Sequence, residues 1–408
     1  TPSTSSAASD VYKRQEYQVR VSVADILGPK TLEDLAEHIA HLKSARSIAE
    51  SFLKPMSLST WPFTALQQAL WLDGDRMGDH RAYNMTYRFE LQAQINFDKL
   101  QSALTKLVER QQILRTRLDE GQLVLMSPTE AIEKALSVNE RDISELTKQW
   151  QSYSFKFNQE PLFKLIIVSN DQSKGNNISQ HLILVMHHLI ADGHSASLFL
   201  HELTLFYSDE KREPLRCQFG DYACWQQDYF NSDEYRASLQ YWQQHLKGCE
   251  SLLTFKGVSQ NKVLSQRADQ IEFNINSSLK KSLTMLAKQH QCTPFTVLMT
   301  LFAHVLTSYV EQAEVVIGTP ALGRTLPEFE SLIGLFTNIL PIRIGQDGKN
   351  ELSTQMEAVQ RTLQAALNHQ DVPFGNIVDA CQIPRNPLGS SLVQVLSLIH
   401  ISEPTRRY

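Results

Sequence analysis

Five consecutive apolar residues, Leu182 to Met186, lead directly into His187 and His188, and four residues on the chain reaches Asp192-Gly193. A short unbroken apolar run closed by Asp-Gly predicts a core strand ending in a tight turn, not a helix. Phe163–Val168 is a second mostly apolar stretch. The polar break at 171–177 between the two predicts a hairpin in the core. Alternation at Tyr87–Leu91 predicts another strand, and Leu114–Met126, broken at Glu120-Gly121, predicts a second hairpin. Helical spacing appears behind an Asn96 cap, where Leu100, Leu104, Leu107 and Val108 share a face. It returns near Ser195, with Phe199, Leu200, Leu203 and Phe206, and again at Pro62–Trp71, Leu279–His290 and Phe295–Val310. Ile271, Phe273 and Ile275 alternate as a strand would. Glu314–Ile317 reads as a strand that enters a glycine-containing loop at Gly318–Arg324.

A chain of 408 residues implies about two or three domain-sized cores. A 42% hydrophobic content is enough to fill them, and a net charge of −5 gives no sign of nucleic-acid binding. The five cysteines (Cys217, Cys224, Cys249, Cys292 and Cys381) are odd in number and form no CxxC pair, which points to free thiols in a reducing compartment. No apolar run reaches membrane-spanning length and no signal-peptide core is present, so a soluble cytoplasmic protein is expected.

Successive side chains on a strand face opposite ways, so His187 and His188 must have different surroundings. One of them can be presented to a cavity as a base, because imidazole exchanges protons near neutrality. Asp192 lies close enough to accept from a ring N–H or to pair with an arginine. Gly193 lets a backbone N–H approach a substrate. An isolated histidine pair is more often structural than chemical. His181 and His194 raise the further reading of a metal site, but no second cluster of ligands accompanies them, so no metal is expected.

The pattern H-H-x-x-x-D-G, as it stands at His187, His188, Asp192 and Gly193, resembles the signature of nonribosomal peptide synthetase condensation domains. Six further segments in order resemble that family's other motifs. They are Pro62–Trp71 (with Thr64, Gln67, Leu70 and Trp71), Arg110 with Ile113–Leu118, Phe219–Gln226, Ile333–Arg343, His369–Phe374 and Arg385–Leu396. Two departures stand out. Ala69 replaces an arginine of the first motif, and Gln111-Gln112 replaces the His-Glu of the second, so a chemical role there is not expected and a surface or structural one is.

The resemblance implies an α/β fold of the chloramphenicol-acetyltransferase type: two lobes in a V, an active-site tunnel between them, and a second lobe cut short in this chain. It implies that a carrier-bound aminoacyl amine attacks a carrier-bound acyl or peptidyl thioester to form an amide. By the same resemblance, His188 is the base or hydrogen-bond positioner and the Gly193 N–H faces the oxyanion. His187 and Asp192 support the site, with Arg324 as the expected partner of Asp192 and Arg343 the second choice. Asn338, Ser195 and Arg343 are candidates for the tunnel lining. No cofactor is expected to bind directly; 4'-phosphopantetheine would arrive on an upstream donor carrier and on the downstream acceptor carrier and adenylation domains of the same assembly line. Epimerisation and heterocyclisation domains fit less well, because the Glu-Gly-His and double-Asp motifs are missing. A coenzyme A-dependent acyltransferase and a non-catalytic carrier-docking module are the other readings.

The expected organisation is residues 57–258 for the first lobe and 259–396 for the incomplete second. Residues 16–43 resemble the end of a carrier domain, with Leu32, Leu35, Ile39 and Leu42 on one helical face behind Thr31, and residues 44–56 form a linker. Residues 1–15 and 397–408 resemble translated sequencing-adapter ends and are expected to be non-native.

Overall fold

The computed structural model describes residues 55–91, 93–140, 142–169, 180–257, 269–310, 312–345, 351–384 and 390–398. The carrier-like segment, most of the linker, the polar stretch at 259–268, the start of the seventh motif and nearly all of both terminal stretches lie outside these residues.

The described chain forms two units. The first contains the residues up to Ser232 and, in addition, Arg324–Thr337. Its elements in order are β1 (Thr60–Pro62), α1 (Ala65–Met77), β2 (Asn84–Leu91), α2 (Phe97–Arg110), β3 (Thr116–Asp119), β4 (Gln122–Leu125), α3 (Pro128–Ala135), β5 (Leu136–Asn139), α4 (Ile143–Gln151), β6 (Phe163–Ser169), β7 (Gln180–His187), α5 (Gly193–Tyr207) and α6 (Phe219–Tyr229). A four-stranded sheet runs β2-β7-β6-β5, and a three-stranded one runs β1-β4-β3. The second unit contains α7 (Asp233–His245), α8 (Ser277–Gln289), α9 (Pro294–Tyr309), β8 (Glu314–Ala321), β9 (Asn338–Gly345), α10 (Leu352–Asn368) and α11 (Phe374–Ala380), with β8 and β9 paired antiparallel. The units therefore divide between Ser232 and Asp233, before the boundary expected near 258, and the chain returns to the first unit for Arg324–Thr337.

The predicted core hairpin is present: β6 and β7 pair antiparallel, with Phe163 opposite Met186 and Leu165 opposite Leu184. Every residue of β7 is buried, as a continuous apolar run in a central strand should be. Each fully buried Leu, Ile or Val contributes about 1.5–3 kcal/mol. The second hairpin closes at Glu120 and Gly121, both at positive φ (45° and 77°), the geometry a two-residue hairpin turn requires. Asn96 caps α2 by accepting from the Lys99 N–H at 2.9 Å. The buried stripe of α2 is Leu100, Ala103, Leu104, Leu107 and Val108, and α2 packs on α5.

Three expectations need correction. Asp192-Gly193 is no tight turn: Asp192 is the N-cap of α5 and Gly193 its first helical residue. The turn instead occupies residues 188–190. Residues 269–276 form no strand, and Ile271 is 89% exposed. Alternation supplies one apolar face, but a strand also needs a neighbour for its backbone, and among the described residues none pairs with this segment. Last, β8 runs on through Gly318 to Ala321 where a loop was expected. Gly318 is needed there because a Cβ would lie 2.5 Å from Val393 and 2.7 Å from Leu396.

Among the described residues no single helix is long and apolar enough to cross a membrane. Leu184 is fully buried at the centre of β7, so Leu184→Ala should destabilise the first unit by about 2–5 kcal/mol. Urea unfolding of the two proteins side by side checks this.

Candidate active site

The site is built at the end of β7, from residues of the first unit alone. The His187 N–H bonds the Leu162 carbonyl and the His188 N–H bonds the Tyr83 carbonyl, each at 2.9 Å, so both histidines leave the sheet with fixed backbones. The turn that follows is held by α1. Thr64 and Gln67 form a reciprocal capping box at the start of that helix, and Gln67 Nε2 reaches across to the Leu189 carbonyl at 2.6 Å. Gln67 is completely buried.

The two histidines differ as strand alternation requires. His187 is buried, and its Nδ1 accepts from the Leu189 N–H at 3.2 Å. Its Nε2 must then carry the proton, which it donates to the His80 carbonyl at 3.2 Å. Phe157 and Phe155 meet the ring edge-on. Burial lowers its pKa to about 3, so His187 is a neutral structural residue with both nitrogens occupied. His188 is only half-buried, and its Nδ1 has no partner of hydrogen-bonding geometry. Burial lowers its pKa below the usual histidine value, opposed by the charge of Asp192 and by the backbone at His188 and Ala191. It is therefore neutral near pH 7 and able to accept a proton.

Asp192 and Arg324 meet as a buried bidentate ion pair: Nη1 to Oδ2 at 2.8 Å and Nη2 to Oδ1 at 3.1 Å. The remaining capacity of the carboxylate is filled. Oδ1 accepts from the Ser195 N–H (2.9 Å) and hydroxyl (2.7 Å), and Oδ2 from the N–H groups of Phe336 and Thr337 and the Thr337 hydroxyl (3.2–3.3 Å). Burial alone would raise the pKa of Asp192, but the Arg324 charge and these donors outweigh it and hold the value at about 2. The guanidinium also stacks 4.3 Å from the Phe336 ring centroid. Of the two arginines expected beside Asp192, Arg324 fills the place. Arg343 pairs with Glu314 at 2.8 Å, and its Nη1 bonds the carbonyls of His245 and Lys247.

Neither Ser195 nor Asn338 has a side chain free to line a tunnel. The Ser195 hydroxyl lies within 2.8 Å of the Gly334 carbonyl, which competes with Asp192 for its single proton, and it accepts from Arg324 at 3.0 Å. Asn338 sits at the start of β9, where its Nδ2 bonds the carbonyls of Gln370 and Val372 and its Oδ1 accepts from the Phe374 N–H. It fixes the His369–Phe374 segment. Arg343 is likewise fully engaged.

Gly193 is exposed, and its N–H bonds no other group among the described residues. A Cβ there would meet nothing within 4 Å, so the fold itself does not demand glycine. The N-terminus of the 15-residue helix α5 adds positive potential at this point. An N–H available next to open space and, on a half-buried neutral imidazole, an Nε2 not held by any hydrogen bond suit a reaction that develops negative charge on oxygen while releasing a proton.

Sequence reasoning missed Gln67, Gln111, Gly334 and Thr337 as parts of the site. The Thr64/Gln67 capping-box spacing could have exposed Gln67. The others bond partners more than a hundred residues away and leave no periodic trace.

Arg324→Met should cost about 3–5 kcal/mol, because it leaves a buried carboxylate uncompensated. The folded pKa of Asp192 lies below the unfolded value near 3.9, so its contribution is complete above about pH 4 and is lost as pH falls through about 2. Denaturant midpoints measured from pH 6 to 2 should fall less steeply in Asp192→Asn than in the wild-type protein.

Comparison with known proteins identifies the family. The profile of the family described as Condensation domain matches residues 58–399. Surfactin synthase subunit 1 of Bacillus subtilis (strain 168) is 28% identical over 388 residues, which is 92% of this chain and 10% of that protein. Malpinin synthetase of Mortierella alpina is 29% identical over 393 residues, 92% of this chain and 5% of that protein. The chain thus spans a tenth or less of the length of these two curated relatives. The X-domain from teicoplanin biosynthesis superposes with a TM-score of 0.73 at 20% identity, covering 85% of this chain and 79% of that one. The first condensation domain of the calcium-dependent antibiotic synthetase, solved with a substrate analogue, superposes at 0.65 with 17% identity, covering 83% and 80%. The fold is theirs, the two-lobed chloramphenicol-acetyltransferase type, and with five-sixths of its length matched by the family profile this chain belongs to the condensation domains of nonribosomal peptide synthetases.

Proposed function

We propose that this domain is catalytically active and forms an amide between two carrier-bound substrates, with His188 and Gly193 as the groups that touch the reacting atoms. The observation that carries this reading is the contrast at the end of β7. Both ring nitrogens of His187 are engaged, while the His188 ring, one residue on, is half-buried and neutral, with Nδ1 buried and unpartnered so that Nε2 is the nitrogen left to meet a substrate, and the Gly193 N–H is free. The donor is an acyl or peptidyl thioester and the acceptor an aminoacyl thioester. Each arrives on the 4'-phosphopantetheine arm of a partner carrier domain, the donor from upstream and the acceptor from downstream.

The amine nitrogen attacks the donor carbonyl carbon, forming the C–N bond and placing negative charge on the carbonyl oxygen. That oxygen lies toward the Gly193 N–H and the positive end of α5. The ammonium proton passes to His188. The C–S bond then breaks, and the departing sulfur takes the proton. Positioning the two reactants can lower the barrier by roughly 7–11 kcal/mol, whereas a general base is worth about 10²–10⁴-fold. Orientation is therefore the larger contribution.

The direct test mixes a donor-loaded carrier and an aminoacyl-loaded acceptor carrier with the domain and follows the acceptor by intact-protein mass spectrometry. The expected result is a mass gain on the acceptor that falls by about 10²–10⁴-fold in His188→Ala. Gain undiminished in the variant would remove His188 from the chemistry. Turnover of acyl-coenzyme A without any carrier would favour a free-standing acyltransferase, and retained carrier binding with no gain would favour a docking module. Gly193→Ala should fold with wild-type stability, because its methyl meets no atom of the domain, yet should slow product formation by crowding the carbonyl. Thermal melting and single-turnover rates together check that split.

A further inference from the structure

Gln111 stands where the family's second motif carries histidine, and it is buried, only 1% exposed. It is the residue at which α2 ends, its own N–H bonding the Leu107 carbonyl. Its side chain then makes three bonds to two other parts of the first unit. Nε2 donates to Glu202 Oε2 at 3.0 Å and to the Ser331 carbonyl at 2.8 Å, and Oε1 accepts from the Ile333 N–H at 3.0 Å. Glu202 is wholly buried on α5 and is held on its other oxygen by Arg110 Nε at 2.9 Å.

The partners matter because of where they lead. α5 is the helix whose first residue is Gly193. Ser331–Ile333 runs straight into Gly334, Phe336 and Thr337, whose backbone groups bond Ser195 and Asp192. The loop 331–337 is thus fastened to α5 at two places: at the helix start through Asp192 and Ser195, and nine residues later through Glu202 and Gln111. The Gln111 bonds add a second polar attachment to α5, beside the packing of Leu332, Ile333 and Phe336 in the core.

We infer that Gln111 is a positioning residue, which sets the loop 331–337 against α5 and thereby fixes the Asp192 cap that aims the Gly193 N–H. The role needs a side chain with a donor at one end and an acceptor at the other, long enough to span Glu202 and Ile333. Gln meets that requirement. Neutral His, which donates from one nitrogen and accepts at the other, keeps one donated bond and the accepted one, two of the three. Methionine has the length of Gln without the donor. Asparagine has the groups but is one methylene short.

The catalytic part of this inference rests on the proposed amide-forming activity; the structural part does not, so two readouts are taken. Hydrogen exchange followed by mass spectrometry reports the loop in peptides covering 324–337, with peptides from the β6–β7 hairpin as control. Carrier-to-carrier amide formation reports kcat and the KM for the acceptor carrier. In Gln111→Met, exchange in 324–337 should rise about tenfold with the hairpin unchanged, and kcat should fall about tenfold with KM held. Gln111→His should restore both to within about threefold of wild type on the same reasoning. If Gln111→Met does not fold, Gln111→Asn must show the same local exchange. Wild-type exchange in 324–337 in Gln111→Met or Gln111→Asn would overturn the inference. So would damage that Gln111→His does not repair, or a fall in activity carried by KM alone. If wild type makes no amide, the activity proposal fails by itself, and the exchange data still decide whether Gln111 holds the loop.

Discussion

The buried pair of Asp192 and Arg324 is the interaction on which the arrangement depends. Taking two charges out of water costs several kcal/mol per ion and is repaid only where geometry and hydrogen bonding are nearly complete. Here both carboxylate oxygens are filled, by Arg324, by Ser195 at the head of α5, and by the backbone of Phe336 and Thr337. One carboxylate therefore caps a helix and closes a loop. That is a stringent requirement for three separate stretches of chain to meet, and it ties the segment Arg324–Thr337 to the first unit while β8 and β9 on either side of it belong with the second.

Neutral groups supply the rest of the order. Gln67 holds the turn at Leu189, Gln111 bridges α5 and the loop, and Asn338 anchors the segment before α11. Each is a buried side-chain amide satisfied at both its donor and its acceptor. Such groups specify geometry at little electrostatic cost, since a satisfied amide carries no net charge to desolvate. Around them the chemistry is sparse: one half-buried imidazole whose Nδ1 is buried and whose Nε2 is unengaged, and one unused N–H at a helix start. In the proposed reaction such a site would act chiefly by holding reactants, which suits a thioester donor that is already activated.

The fold was legible to the extent that hydrophobic periodicity sets it. The β6–β7 hairpin, the Asn96 cap and the apolar stripes of α2 and α5 follow from short-range patterns that tertiary packing only confirms. The same reasoning misread residues 269–276, where Ile271, Phe273 and Ile275 alternate but find no described strand beside them. Pairing is a long-range property, and alternation alone cannot supply it. It also took Asp192-Gly193 for a turn, because Asp-Gly is compatible with both a turn and a helix cap. The choice between them lay with Ser195, which offers its N–H to Asp192 only once the helix has formed.

By itself, the sequence determined that the two histidines must have different surroundings, since successive residues at a strand end face opposite ways; which of them is available came from the family resemblance. It also determined, through family resemblance, that an arginine would neutralise Asp192, and placed Arg324 first. Only the tertiary structure decided that Ser195 and Asn338 are consumed by internal hydrogen bonds, that Arg343 is bound to Glu314, and that Gln111 spans a helix and a loop. The reason is physical. Periodicity reports the face on which a side chain lies, whereas a polar partner is set by which distant backbone comes within about 3 Å, and that depends on the packing of the whole unit.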